Sequence, residues 1–94
     1  MHDNEWWGYI DMNGIEVIRH QWEDAYSFHE GLAPVKDIVY GKYGYIDKNG
    51  CIIIPCQWGY AGDFINGIAC VRDNINNKWG YIDKSARVVL WKTE

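Results

Sequence analysis

The chain repeats itself. Trp7-Gly8-Tyr9-Ile10-Asp11 returns as Tyr43-Gly44-Tyr45-Ile46-Asp47 and again as Trp79-Gly80-Tyr81-Ile82-Asp83, at an interval of 36 residues both times. Residues 7–42 laid over 43–78 without a gap agree at 16 of 36 positions. A period of this length means a stack of small supersecondary units, each unable to bury its apolar side alone. The sequence therefore divides into a first repeat, 7–42, a second, 43–78, and the beginning of a third, 79–94, within a single domain spanning 1–94.

Each repeat opens on aromatic and branched residues, which favour a pleated strand. Asp11-Met12-Asn13-Gly14 and Asp47-Lys48-Asn49-Gly50 follow. Asp first and Gly last suit a type I turn closed by a left-handed glycine, hence a hairpin. Ile15 to Arg19 and Cys51 to Pro55 read as the return strands, with Pro55 ending the second. In Gln21 to Phe28 and Gln57 to Phe64 the period of two breaks down. Ala25 and Phe28 sit three apart, which predicts one helical turn capped by Gly31 or Gly67 and laid across the sheet as a lid. Leu32 to Asp37 and Ile68 to Asp73 alternate again as third strands. Loops at 38–42 and 74–78 lead into the next aromatic strand. The fold class expected is all-β, with three strands and one helical turn per repeat, stacked antiparallel hairpins and about eight strands in total.

The series WGYID, NG, a branched strand, Ala-x-x-Phe and G-[LI]-A-x-V resembles the WG-containing repeat found in many bacterial proteins, and the resemblance covers residues 7–94. It implies a β-repeat module without a shared enzymatic activity and carries over no catalytic residues. Two departures stand out. Tyr43 replaces the tryptophan of the name-giving pair, which keeps a large ring. Ser85-Ala86 replaces Asn-Gly, and alanine in a left-handed conformation costs roughly 1 kcal/mol, so the last hairpin is expected to turn differently.

Composition removes several kinds of function. The net charge is −4 and the nine Lys and Arg residues are scattered, so no basic stripe is present to meet a line of phosphates, and nucleic acid is not an expected partner. The start lacks a basic region before an apolar stretch, and the longest apolar run, Cys51 to Cys56, is too short to span a bilayer. The expectation is a cytoplasmic protein without a membrane partner. Cys51, Cys56 and Cys70 are an odd number with no CxxC spacing, which fits reduced thiols better than disulfides or a metal site.

The recurring Asp11, Asp47 and Asp83 invite an acid-base reading, yet each opens a turn, where a carboxylate accepts backbone N–H bonds two residues on. No serine lies in a Gly-x-Ser-x-Gly setting and no phosphate-loop pattern occurs. No catalytic residue, metal or cofactor is expected, and the protein reads as not an enzyme. His2, His20 and His29 have no repeat partners and are expected at the surface. Rings shared between repeats, Trp22 and Trp58 among them, are expected in the core. The unshared rings Tyr26, Tyr40, Tyr60 and Trp91 are the candidate binding residues.

The function expected is a non-catalytic interaction module with a protein partner; the alternative is a small-ligand module for a glycan or nucleotide. Ala33, Val35, Ala69, Val71, Ile10, Ile46, Ile82, Ile18 and Ile54 recur at strand positions and are expected to be buried together. The third repeat stops before its own lid, so a homodimer through that end, around Trp91, is expected, or else a cap made by the six N-terminal residues.

Overall fold

The computed structural model describes residues 6–92, with the side chains of Arg19, His20 and Lys92 outside the description. His2, His20 and residues 1–5 of the N-terminal cap, on which expectations were placed, thus lie outside it. The described residues form ten strands: β1 (Trp7–Ile10), β2 (Glu16–Trp22), β3 (Asp24–Ala25), β4 (Ala33–Lys36), β5 (Tyr43–Ile46), β6 (Ile52–Trp58), β7 (Tyr60–Ala61), β8 (Ile68–Asp73), β9 (Lys78–Asp83) and β10 (Val88–Lys92). They make three antiparallel sheets, ordered β1-β2, β3-β4-β5-β6 and β10-β9-β8-β7, stacked into a body of 44 × 28 × 17 Å.

The sheets do not follow the sequence repeats. Each four-stranded sheet joins the second half of one repeat to the first half of the next, because the third strand of a repeat pairs with the aromatic strand that follows it: β4 with β5, and β8 with β9. The chain passes between sheets along a bent strand. β2 pairs with β1; after a bend at Glu23 the chain continues as β3, which pairs with β4. β6 and β7 repeat the manoeuvre around Gly59. The backbone bonds Glu23 N to Lys36 O (2.9 Å) and Gly59 N to Arg72 O (2.8 Å) hold the two bends.

This crossing replaces the expected lid. No helical turn forms at 21–28 or 57–64; Ala25 and Phe28 both pack against the first cluster, Ala25 from β3 just past the bend and Phe28 from the irregular stretch that follows it. The two extra short strands, β3 and β7, raise the count from the expected eight to ten. Gly31 and Gly67 end two-residue hairpins instead of capping helices. Glu30 (φ 55°) with Gly31 (φ 84°), and Asn66 (φ 54°) with Gly67 (φ 82°), have the paired left-handed geometry such hairpins need. Glu30 tolerates it through its carboxylate, which accepts bonds from Asn66 N (2.5 Å) and Gly67 N (2.8 Å) in the next repeat. Lys84 Nζ donates to the Glu30 carbonyl at 2.9 Å. The bond from Gly67 N holds the Glu30 carboxyl below the usual range.

The three Asp turns form as the residues require. Asp11 Oδ1 accepts from Asn13 N at 2.9 Å and Ile15 N at 3.0 Å, and Asp47 does the same for Asn49 and Cys51. Asp83 does so for Ser85 and Arg87, both at 3.0 Å. The expectation of a different third turn is corrected. Ala86 takes φ 69° and donates to the Asp83 carbonyl at 3.0 Å, as Gly14 and Gly50 do to Asp11 and Asp47. The extra side-chain bond from Ser85 Oγ to Asp83 Oδ1, 2.8 Å, strengthens the same turn. Pro55 does not end β6 either. It lies in the irregular stretch opposite Gly44 on an edge strand, where a missing N–H costs no ladder bond.

Two apolar clusters fill the seams between successive sheets. Ile18, Trp22, Ala33, Val35 and Ile46 lie between the first and second. Tyr45, Ile54, Trp58, Phe64, Ala69, Val71 and Ile82 are the body of the second cluster. Eight of the nine residues expected to be buried together are buried, but they divide four and four between the two clusters. Ile10 is the exception: it is 68% exposed, while its counterparts Ile46 and Ile82 are fully covered. Those two are each flanked by a third strand from the preceding repeat, and none stands beside β1 among the described residues.

Candidate functional site

The aromatic residue that opens each repeat is at the surface, not in the core. Trp7, Tyr43 and Trp79 lie on the first strand of their repeats with the ring turned outward or only partly covered, whereas the tyrosine two places on is covered in the first two repeats, at Tyr9 and Tyr45, and exposed in the third, at Tyr81. Tyr45 is fully buried, its ring 4.8 Å from Phe64 and its hydroxyl donating to the Gly62 carbonyl at 2.5 Å. Tyr9 repeats the pattern with Phe28 at 5.0 Å and the Tyr26 carbonyl at 2.7 Å.

The outer rings form a ladder across two sheets. Tyr26 stacks on Tyr43 at 6.2 Å between centroids, Tyr43 meets Tyr60 at 6.2 Å, and Tyr60 meets Trp79 at 5.5 Å. The Tyr26 and Tyr43 hydroxyls lie 3.5 Å apart. Two cations flank the row in equivalent places. Lys36 Nζ stands 5.8 Å from the Tyr43 ring centre and the Arg72 guanidinium 5.9 Å from that of Trp79, each cation directly across the strand pair from its ring. Beside the ladder, Tyr26 and Tyr60 border a cleft of about 300 Å³ with Ser27, His29 and Asp63, in which His29 Nδ1 lies 3.4 Å from Asp63 Oδ1.

The four sequence candidates therefore separate into two pairs. Tyr26 and Tyr60 belong to the ladder. Tyr40 and Trp91 border a different groove, of about 480 Å³, with Lys42, Gln57 and Asp73. Tyr40 is well exposed there, whereas Trp91 is half covered, packed 6.5 Å from Trp58 and seated over Gly80. The apolar residues bare at that end are Val89 and Leu90, not Trp91. Cys56 lines the same groove. Burial, and secondarily Asp37, pushes its thiol up to about 11, so it is protonated at neutral pH. The three cysteines are free thiols.

Sequence reasoning missed Tyr43 and Trp79, because recurrence was taken as a mark of the core. Recurrence holds for Trp22 and Trp58, which are buried. It fails at the first residue of each repeat: in the first two, the residue two places before Tyr9 and Tyr45 is displaced by the irregular pairing around the intervening glycine.

Tyr26 of the ladder and the inner tyrosines Tyr9 and Tyr45 together give the protein an alkaline limit. The hydrogen bond with Tyr43 is the main cause raising Tyr26 to about 12; burial raises Tyr9 to about 12 and takes Tyr45 beyond the usual tyrosine range. The fold favours the neutral phenols, so their contribution is complete below the unfolded value of about 10 and is lost as pH rises through about 12. The urea midpoint should hold level up to pH 9.5 and fall between pH 10 and 12, with part of the tyrosinate absorbance at 295 nm appearing only as the fold is lost. A level midpoint over that interval would contradict this.

Sheets that share strands with their neighbours, a row of rings on one surface and turns built on recurring Asp define a β-repeat module. Its sequence matches the family described as WG containing repeat over residues 7–37 and again over 43–79. The chain belongs to that family. No curated protein and no solved structure matches it. Among the described residues no helix is long and apolar enough to cross a membrane.

Proposed function

We propose that the protein is a non-catalytic binding module whose ladder, Tyr26-Tyr43-Tyr60-Trp79, takes an extended segment of a protein partner. The observation that carries this reading is the continuity of the rings: four aromatic side chains at 5.5 to 6.2 Å spacing cross from one sheet to the next, three of them exposed and Tyr43 partly so, with a cation beside every second ring. Aromatic rings offer large contact area at low cost in side-chain freedom, and Tyr, Trp and Arg are the residues that dominate protein interfaces. A row of this length suits a chain more than a compact molecule. The cleft with the His29–Asp63 pair supports a second reading, a small polar ligand held between Tyr26 and Tyr60, at the lower limit of size for ligand pockets.

Selection of binders from a random-peptide library, followed by titration of the recovered peptides, tests the first reading. Tyr60→Ala should weaken them at least about tenfold, the equivalent of one lost interface anchor. Recovery of no peptides, or of peptides indifferent to Tyr43→Ala and Tyr60→Ala, would refute it. Binding on a glycan or nucleotide panel that depends on His29 would establish the second reading instead.

A further inference from the structure

Among the described residues the first sheet has no counterpart of the two strands that complete the other two. In the second sheet β4 lies along β5 with Ala33 opposite Ile46 and Val35 opposite Gly44. In the third, β8 lies along β9 with Ala69 opposite Ile82 and Val71 opposite Gly80. β1 carries the same two residues, Ile10 and Gly8, and among the described residues it pairs only with β2. The carbonyl of Pro34 is taken by Tyr26 N, so strand alternation turns the N–H and C=O groups of Ala33 and Val35 towards β5. By the same phase Gly8 and Ile10 present theirs outward from β1. Trp7–Ile10 contains no proline and no charge, the devices that usually blunt an open edge.

A groove of about 440 Å³ runs beside this edge, lined by Tyr9, Ala25, Tyr26, Ser27 and Phe28. One repeat later the matching positions are Tyr45, Ala61, Gly62, Asp63 and Phe64. There Leu32 packs in one cluster with Tyr45, Ala61 and Phe64, and Pro34 borders the cleft of about 300 Å³ together with Ala61, Gly62 and Asp63. Both are buried. The molecule thus contains, in β4 with Leu32 beside it, a strand-paired counterpart of the edge that no strand covers at the first sheet among the described residues.

We infer that the β1 edge and its groove are a strand-addition site for an extended segment of a partner protein. The segment runs antiparallel to β1 in the order apolar, small, apolar, β-branched. The small residue stands opposite Ile10, the branched one opposite Gly8, and the two apolar residues enter the groove. The site meets the ladder only at Tyr26 and makes no use of Tyr43, Tyr60 or Trp79.

A labelled peptide with the sequence of Gly31 to Asp37, titrated into the full chain, tests the assignment. Saturable binding is expected, with hydrogen exchange slowed at the amides of Gly8 and Ile10. The same peptide N-methylated at the positions of Ala33 and Val35 should bind at least about tenfold more weakly, having lost two ladder bonds. Tyr60→Ala, which removes a ladder ring, should leave the affinity unchanged. Unaltered exchange at Gly8 and Ile10, equal binding of the methylated peptide, or loss of binding in Tyr60→Ala would each overturn the assignment.

Discussion

Ile54→Ala should cost the fold about 2 to 5 kcal/mol, while Leu90→Ala, at the same place in the next repeat, should cost under about 1 kcal/mol. The residues share a register: Ile54 stands opposite Tyr45 and Leu90 opposite Tyr81. Their surroundings differ. Ile54 is fully buried in the seam between the second and third sheets, against Tyr45, Phe64 and Ile82. Truncating it leaves a void among side chains held by two sheets, which have little freedom to close in. Leu90 lies on the outer face of the third sheet and is 59% exposed, so its loss removes little buried area and opens no void. Urea titration of both variants decides the matter. Equal losses would mean that the outer face of the third sheet is covered in solution, as a homodimer through that end requires.

Gly44→Ala should be at least as severe, roughly 3 kcal/mol or outright failure to fold, because the added methyl meets backbone and not a side chain that can move aside. A Cβ on Gly44 would lie 2.5 Å from the carbonyl oxygen of Ile54 and 2.8 Å from Cys56 N. The glycine sits where β6 departs from regular pairing: Tyr43 faces Trp58 and Tyr45 faces Ile54, leaving three residues opposite Gly44. That irregularity brings the β6 backbone down onto it. Gly31, equally fixed in sequence, has open space where a Cβ would stand, and its demand is conformational only. Circular dichroism and thermal melting of Gly44→Ala are the check, and a melting temperature within a few degrees of the parent would refute the steric account.

The strands, the three Asp turns and most of the core could be read from the chain because they depend on local pattern and on recurrence. Ala33, Val35, Ile46 and Ile54 alternate, recur and are buried. The path between sheets could not be read in this way. A strand that leaves one sheet and enters another abandons the period of two at the bend, and the residual spacing of Ala25 and Phe28 imitates a helix. Ile10 shows the other limit. Its neighbours in sequence are those of Ile46, and it is exposed because no flanking strand covers it among the described residues. At the candidate site, Tyr26 and Tyr60 stood out as rings without repeat partners, whereas Tyr43 and Trp79 were hidden by their own recurrence. The partition of Tyr40 and Trp91 into another groove depends on which strands cross the body together, a long-range matter on which spacing is silent.

Because every complete sheet draws two strands from each of two adjoining repeats, the chain is laid like courses of brick with staggered joints. Any window of 36 residues, wherever it begins, contains the strands of one whole sheet, whether intact or as complementary parts. Duplication or loss of such a window in the gene would leave every joint in phase, so arrays of this kind can lengthen or shorten without the cut falling at a particular residue. An insertion of half that length would bring two like strands together where unlike ones must meet, and the joint would not close.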